Sequence, residues 1–236
     1  MLRCAVIVFP GTWSDTDCYH VLDSVYGVSV DYVWHQETDL SKYDIAFLPG
    51  GFSYGDYLRP GAIAQFSPIM AGIELMVQHG KTVIGICNGF QVLCEAGILP
   101  GVLLKNSHLQ YRCQWTNLRV ENNMTRFTQS CDQEQILSIP ISHGDGNYYA
   151  DPETIIELEK NEQILFKYSS DVGEVTSPYN PNGSLNNIAG VTNTDHNVLG
   201  MMPHPERSCE AITGGEDGRF IFESILNFAD ITPNKS

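Results

Sequence analysis

Basic residues are scarce in this 236-residue chain: 13 lysines and arginines stand against 28 aspartates and glutamates, a formal net charge of −15. So acidic a surface repels phosphate backbones and anionic lipid, and no basic run offsets it, which argues against nucleic acid and membrane partners. Long apolar runs are also missing; none approaches the roughly 18 residues of a membrane-spanning helix. The opening "MLRCAVIVFPG" is apolar only briefly, and Pro10-Gly11 ends it without the small-residue pattern of a cleaved signal. The seven cysteines (4, 18, 87, 94, 113, 131 and 209) include no C-x-x-C pair. Odd in number and unpaired in spacing, they argue against a disulfide framework and a zinc site alike. "NMT" at Asn123 and "NGS" at Asn182 are chance matches to the glycosylation tripeptide in a chain without a secretory signal. The glycine stretch of "FLPGGFSYGDY" lacks the Gly-Lys-Ser/Thr that completes a phosphate loop, no helix starts directly after it, and no G-x-G-x-x-G follows a strand, so nucleotide binding lacks support. These absences predict a cytoplasmic protein with no metal site.

What is present reads as an ordinary globular chain, 42% hydrophobic and 17% charged, long enough for one sizeable core. Apolar, β-rich runs at Arg3–Phe9, Val28–Trp34, Ile45–Leu48 and Thr82–Ile86 alternate with helical stretches. Ser14 or Asp15 is expected to cap a helix to Tyr26 that stops at Gly27. Ser67 is expected to cap another that has Pro68 in its first turn and ends at Gly80. A third runs Gly89–Ala96, closed by Gly97. Such alternation predicts an α/β fold with a mostly parallel central sheet and helices on both faces. Further on, Leu118–Glu121, Ile136–Ile141 and Ile164–Tyr168 read as strands, and Asp151-Pro152 starts a helix to about Lys160. "SPYNPNGS" reads as a loop, and Ile188–Thr192 pairs with Val198–Met202 through "NTDHN". A last helix lies near Gly218–Phe228. With no repeat, low-complexity segment or linker, one domain over residues 1–236 is expected.

"GICNG" (Gly85–Gly89) fits the nucleophile elbow, a strained strand-to-helix turn with glycine two positions before and after the reactive residue. The turn lifts the Cys87 side chain above the strand end and aims the Asn88 N–H at the same place. The N-terminal end of the following helix favours a thiolate there. The bland alternative, a small buried cysteine, suits the other six, which carry no such signal. A thiolate doing acyl transfer needs a base, and the base needs an orienting group. "GMMPHPERS" supplies both. Pro205 favours an extended His204, and residues two apart in an extended segment share a side, so His204 and Glu206 should project together. A carboxylate so placed holds the imidazole in one tautomer. Of seven histidines, only His204 stands between two prolines with a carboxylate two positions on. "FLPGGFSYGDY" follows the third strand; Gly50-Gly51 lets a backbone N–H approach a substrate. An N–H of this glycine pair and the Asn88 N–H are therefore two candidate oxyanion donors.

The G-x-C-x-G-x-Q elbow (Gly85, Cys87, Gly89, Gln91), the upstream Pro49–Gly51 loop and the downstream His204–Glu206 resemble the class I, or triad, glutamine amidotransferases. "GGFSYGDYLRPGAIA", "RVENN", "HGDGNYY", "NPNGS" and "MMPHPER" are similar to one group of them. These are the glutaminase subunits of small, multi-subunit phosphoribosylformylglycinamidine synthases. The likeness extends over most of the chain; a departure is Trp13 in "GTWSDTD", where that group usually has asparagine. The resemblance implies a single class I amidotransferase-like domain in which Cys87 attacks the side-chain amide of L-glutamine while the Gly51 and Asn88 N–H groups hold the oxyanion. His204 would protonate the leaving ammonia and activate water against the thioester. Gln91 would contact the bound glutamine, and His143, Gly144 and Asp145 would line its pocket. The resemblance also implies two partner chains: a synthetase subunit carrying ATP and magnesium, and a small bridging subunit. No cofactor is then expected on this chain. A free-standing cysteine hydrolase acting on γ-glutamyl or peptide bonds fits the triad equally well but not the longer motifs. A non-catalytic binding module would have lost Cys87, His204 or Glu206, and all three are present.

Overall fold

A sheet of nine strands in the order β2-β1-β3-β4-β11-β10-β9-β6-β7 organises the computed structural model, which describes residues 2–231. Its first half is the expected one. β1 (Arg3–Val8), β2 (Ser29–Trp34), β3 (Ile45–Leu48), β4 (Thr82–Ile86) and β11 (Val198–Met201) run parallel to one another. β3, β4 and β11 are buried at every residue, as continuous apolar runs covered on both faces should be.

The two faces can be told apart by adjacent residues of β3. Phe47 stacks on Phe222 of α5 (Gly218–Ile231), with ring centroids 5.6 Å apart. Leu48, next along and so on the opposite face, lies beneath Gly89 of α3 (Asn88–Glu95). α1 (Asp15–His20) continues through one π-helical turn, Val21–Val25, to Gly27, whose φ of 66° closes it. Tyr26 there stacks on the α5 side.

The second half of the sheet departs from the mostly parallel expectation. β10 (Ile188–Thr192), β9 (Ile164–Ser169), β6 (Arg112–Val120) and β7 (Ile136–His143) join antiparallel, starting from the anticipated β10–β11 hairpin. β6 starts six residues before the predicted Leu118, because its early residues, with little apolar content, are recruited by pairing with β7. A separate two-stranded sheet, β5 (Val102–Leu104) with β8 (Asn147–Tyr149), was not foreseen. Three-residue strands carry too little pattern to be read in advance.

Caps divide similarly. Asp151 accepts from Glu153 and Thr154 N–H at 3.1 and 3.0 Å to start α4 (Pro152–Lys160), as expected. Ser67 does not cap α2 (Ile69–Gln78); its hydroxyl is taken by Tyr54 at 2.9 Å. Among the described residues, no helix is long and apolar enough to cross a membrane.

The loops after β1, β3, β4 and β11 gather at the carboxyl ends of these parallel strands, beside the point where the strand order reverses around β1. That is where open α/β sheets bind ligands.

Candidate active site

Cys87 joins β4 directly to α3 with φ 51° and ψ −104°, a conformation costing a non-glycine residue on the order of 1–3 kcal/mol. The surroundings hold it there. Its N–H donates to Met201 O on β11 (2.8 Å), and its carbonyl accepts from Gln91 N–H (3.1 Å). The flanking glycines are explained by space. A methyl on Gly85 would lie 2.6–2.7 Å from Leu93 Cδ1 and from Gly89 C and O, and one on Gly89 would overlap the Leu48 carbonyl. Only bare backbone lets helix and sheet approach closely enough to make this turn.

His204 follows β11, its N–H bonded to Pro140 O of β7 at 2.8 Å. Its Nδ1 lies 2.6 Å from Glu206 Oε1, both side chains being fully shielded from solvent. A carboxylate only accepts, so Nδ1 carries the proton and Nε2 is left for another partner. Nε2 is buried with no hydrogen-bond partner among the described residues. The pairing matches the sequence expectation, but its local cause differs. His204 has φ −105° and ψ 84°, and Pro205–Arg207 forms a 3₁₀ turn rather than an extended segment. Burial opposes charge on the His204 ring, yet the adjacent Glu206 carboxylate and Cys87 sulfur outweigh it and push its pKa up to about 10.

The Gly50-Gly51 loop closes the third side. A methyl on Gly50 would come 2.7 Å from His204 Cε1 and 3.4 Å from Cys87 Cβ; on Gly51, where φ is 154°, it would strike the backbone of residues 11–13. Neither Gly51 nor Asn88 N–H has a backbone partner among the described residues, as donors reserved for a ligand require. Gly51, Cys87 and His204 line one pocket together with Trp13, Ser14, Phe52, Tyr111, Ser142 and Arg207.

Gln91, His143, Gly144 and Asp145 are not among that pocket's walls. Gln91 is buried with both ends of its amide engaged: Oε1 accepts from Asn88 Nδ2 (2.9 Å), and Nε2 donates to Asp145 O (2.6 Å). It clamps α3 to the 143–145 loop. His143 lies in a buried network: Asn182 Nδ2 meets its Nε2 at 3.0 Å, and Asn106 Nδ2 donates to its carbonyl at 3.0 Å. Burial, then the nearby His204 and His108, push the His143 pKa down to about 3, so the ring is neutral. Gly144 O accepts from Asn106 N–H at 2.9 Å.

Sequence reasoning overlooked Ser14, Tyr111, Ser142 and Arg207 as wall residues. Arg207 alone offered a signal, a cation directly after Glu206. Of the remaining cysteines, Cys113 is exposed and the rest are buried. Burial raises the thiol pKa of Cys18, Cys94 and Cys209, and takes Cys4 and Cys131 up to about 12.

A strained cysteine beneath a buried His–Glu pair and two free backbone N–H groups is equipped for acyl transfer through a thioester. The chain matches the CobB/CobQ-like glutamine amidotransferase domain over residues 1–216. It belongs to this glutamine amidotransferase family. Full-length relatives agree. The chain is 56% identical to the phosphoribosylformylglycinamidine synthase subunit PurQ of Moorella thermoacetica, covering 96% of each chain. It is 51% identical to that of Salinibacter ruber, covering 97% of each. Among solved structures it resembles a chain of PurLQS from Thermotoga maritima. The TM-score is 0.85 with 43% identity, covering 96% of this amidotransferase and 98% of that chain.

Proposed function

We propose that this amidotransferase is the glutaminase subunit of a phosphoribosylformylglycinamidine synthase in the cytoplasm. It hydrolyses L-glutamine to glutamate and ammonia and passes the ammonia to a synthetase subunit. That subunit, with ATP and magnesium, converts formylglycinamide ribonucleotide to the amidine, and a small bridging subunit joins the two. The chain itself works without a cofactor, as one domain.

Support comes foremost from the buried 2.6 Å contact between His204 and Glu206 beside the elbow cysteine. The Cys87 sulfur adds to the γ-amide carbon, and the oxyanion is met by Gly51 and Asn88 N–H. The protonated His204 ring gives its proton to the leaving nitrogen, because an amide nitrogen departs only as an amine. The neutral ring then takes a proton from water as that water attacks the thioester; the C–S bond breaks, releasing glutamate and restoring the thiolate beside the protonated ring. Glu206 orients the ring and stabilises its charge throughout. Gln91, His143, Gly144 and Asp145 shape the glutamine site from behind, Asp145 held by Gln91 and the His143 and Gly144 carbonyls held by Asn106.

The test uses the assembled complex. Cys87→Ser should lower glutamine-dependent amidine formation by on the order of a thousandfold or more, as removal of a triad member does. Synthesis from added ammonia should stay near the native rate. Loss of both activities in a complex that still assembles would mean that Cys87 does not supply the ammonia. A lone chain that hydrolyses glutamine at full rate and ignores its partners would favour the free-standing hydrolase.

A further inference from the structure

Ser14 stands at the N-cap of α1, yet its side chain makes no capping bond. It is buried, and its Oγ instead accepts from Arg207 Nη2 at 2.7 Å, across 193 residues of sequence. Arg207 is anchored a second time by Nε, which donates to Asp17 Oδ2 at 3.1 Å. The backbone of the same turn has another task. Trp13 and Ser14 N–H both donate to Gly50 O, each at 3.0 Å, which occupies both lone pairs of that carbonyl. The peptide is trans, so Gly51 N–H points opposite to the carbonyl, and at the pocket wall it has no backbone partner among the described residues.

We infer that Ser14 and Arg207 are a positioning pair that holds the Gly50-Gly51 peptide with its N–H presented to the oxyanion, an inference that rests on the glutaminase reading. Neither residue need touch the reacting atoms. Arg207 pins the Ser14 side chain to the turn that carries His204 and Glu206, and the Ser14 and Trp13 amides pin the oxyanion loop in turn. The base and the oxyanion donor are thereby fixed relative to each other by one chain of hydrogen bonds, although they follow different strands. Without it, the two-glycine peptide is free to rotate and withdraw its donor. Glycine permits such rotation more readily than any other residue.

Ser14→Ala, Arg207→Ala and Arg207→Lys variants in the assembled complex test the pair. For both alanine variants, kcat for glutamine hydrolysis should fall about tenfold to a hundredfold with KM little changed. That is part of what one oxyanion donor is worth. Affinity for glutamate γ-semialdehyde, which Cys87 adds to as a tetrahedral oxyanion, should fall by the same factor. Alkylation of Cys87 by iodoacetamide forms no oxyanion and should keep its native rate in Ser14→Ala, which leaves the Arg207 charge beside the thiol in place. The double alanine variant should be no worse than either single one, and Arg207→Lys should recover part of the loss. Variants with native kcat would overturn the inference alone. Alkylation falling in step with kcat in Ser14→Ala would overturn it too, by placing the effect on the thiol or the fold. A native complex without glutaminase activity would overturn the underlying reading.

Discussion

The two halves of the sheet reach the same pocket by different means. In the parallel half, strands buried along their whole length end in loops that supply Gly51, Cys87 and His204. In the antiparallel half, β7 alternates between more and less buried residues, and the strands supply support instead. Pro140 O holds the His204 backbone at 2.8 Å, and Ser142 O lies 3.7 Å from the Cys87 sulfur. One half presents chemistry at strand ends; the other braces it from the side. Parallel strands all point their carboxyl ends one way and so converge loops on one edge, which antiparallel strands cannot do.

The largest contrast should come from the same substitution made in each half. Gly89→Ala puts a methyl against the Leu48 backbone, which cannot yield, so a loss of about 3 kcal/mol or more is expected together with loss of glutaminase activity. Gly173→Ala, in the turn after β9, meets nothing nearer than Ile136 Cδ1 at 3.2 Å. Its φ of 86° sets a cost of only about 1–2 kcal/mol, with activity retained. Urea unfolding read beside glutaminase assays checks both, and equal losses would erase the contrast.

The halves should also respond oppositely to pH. The folded His204 pKa is raised to about 10, so its contribution to stability is complete below the unfolded value near 6.5 and is lost as pH rises from there through 10. For His143 it is lowered to about 3, so the unfolded chain binds the proton first and stability falls as pH drops from about 6.5 toward 3. His204→Gln should flatten the alkaline limb of a stability profile, and His143→Gln the acid limb. Both variants altering the same limb would contradict the assignment of these environments.

The smallest effect belongs to the exposed face of the antiparallel half. Gln114→Lys on β6 should change stability by no more than about 0.5 kcal/mol and leave activity native. A larger change in the assembled complex alone would show that this face meets a partner.

Much of the parallel half was legible because its signals are local. Apolar runs stopped by glycine or proline mark β1, β3 and β4, and the elbow announces itself by glycines two positions on either side of Cys87. The antiparallel half was less legible: β6 begins in polar residues, and β5 and β8 are three residues each. Gln91 stood out as a contact for glutamine, yet its amide is consumed by Asn88 and by Asp145 O, 54 residues away.

By itself, then, the sequence singled out Cys87, His204 and Glu206, since each lies within a few residues of the backbone feature that marks it, and the fold sets Cys87 and His204 in one pocket with Glu206 2.6 Å from the ring. The tertiary structure alone decided which hydrogen bonds bind those pieces together. Ser14 reads as a helix cap until Arg207 arrives to claim its hydroxyl, and Ser67 does so until Tyr54 claims the other. A hydroxyl has one rotatable proton and two lone pairs, so its partner is set by whatever the fold brings within 3 Å, and no local spacing records that.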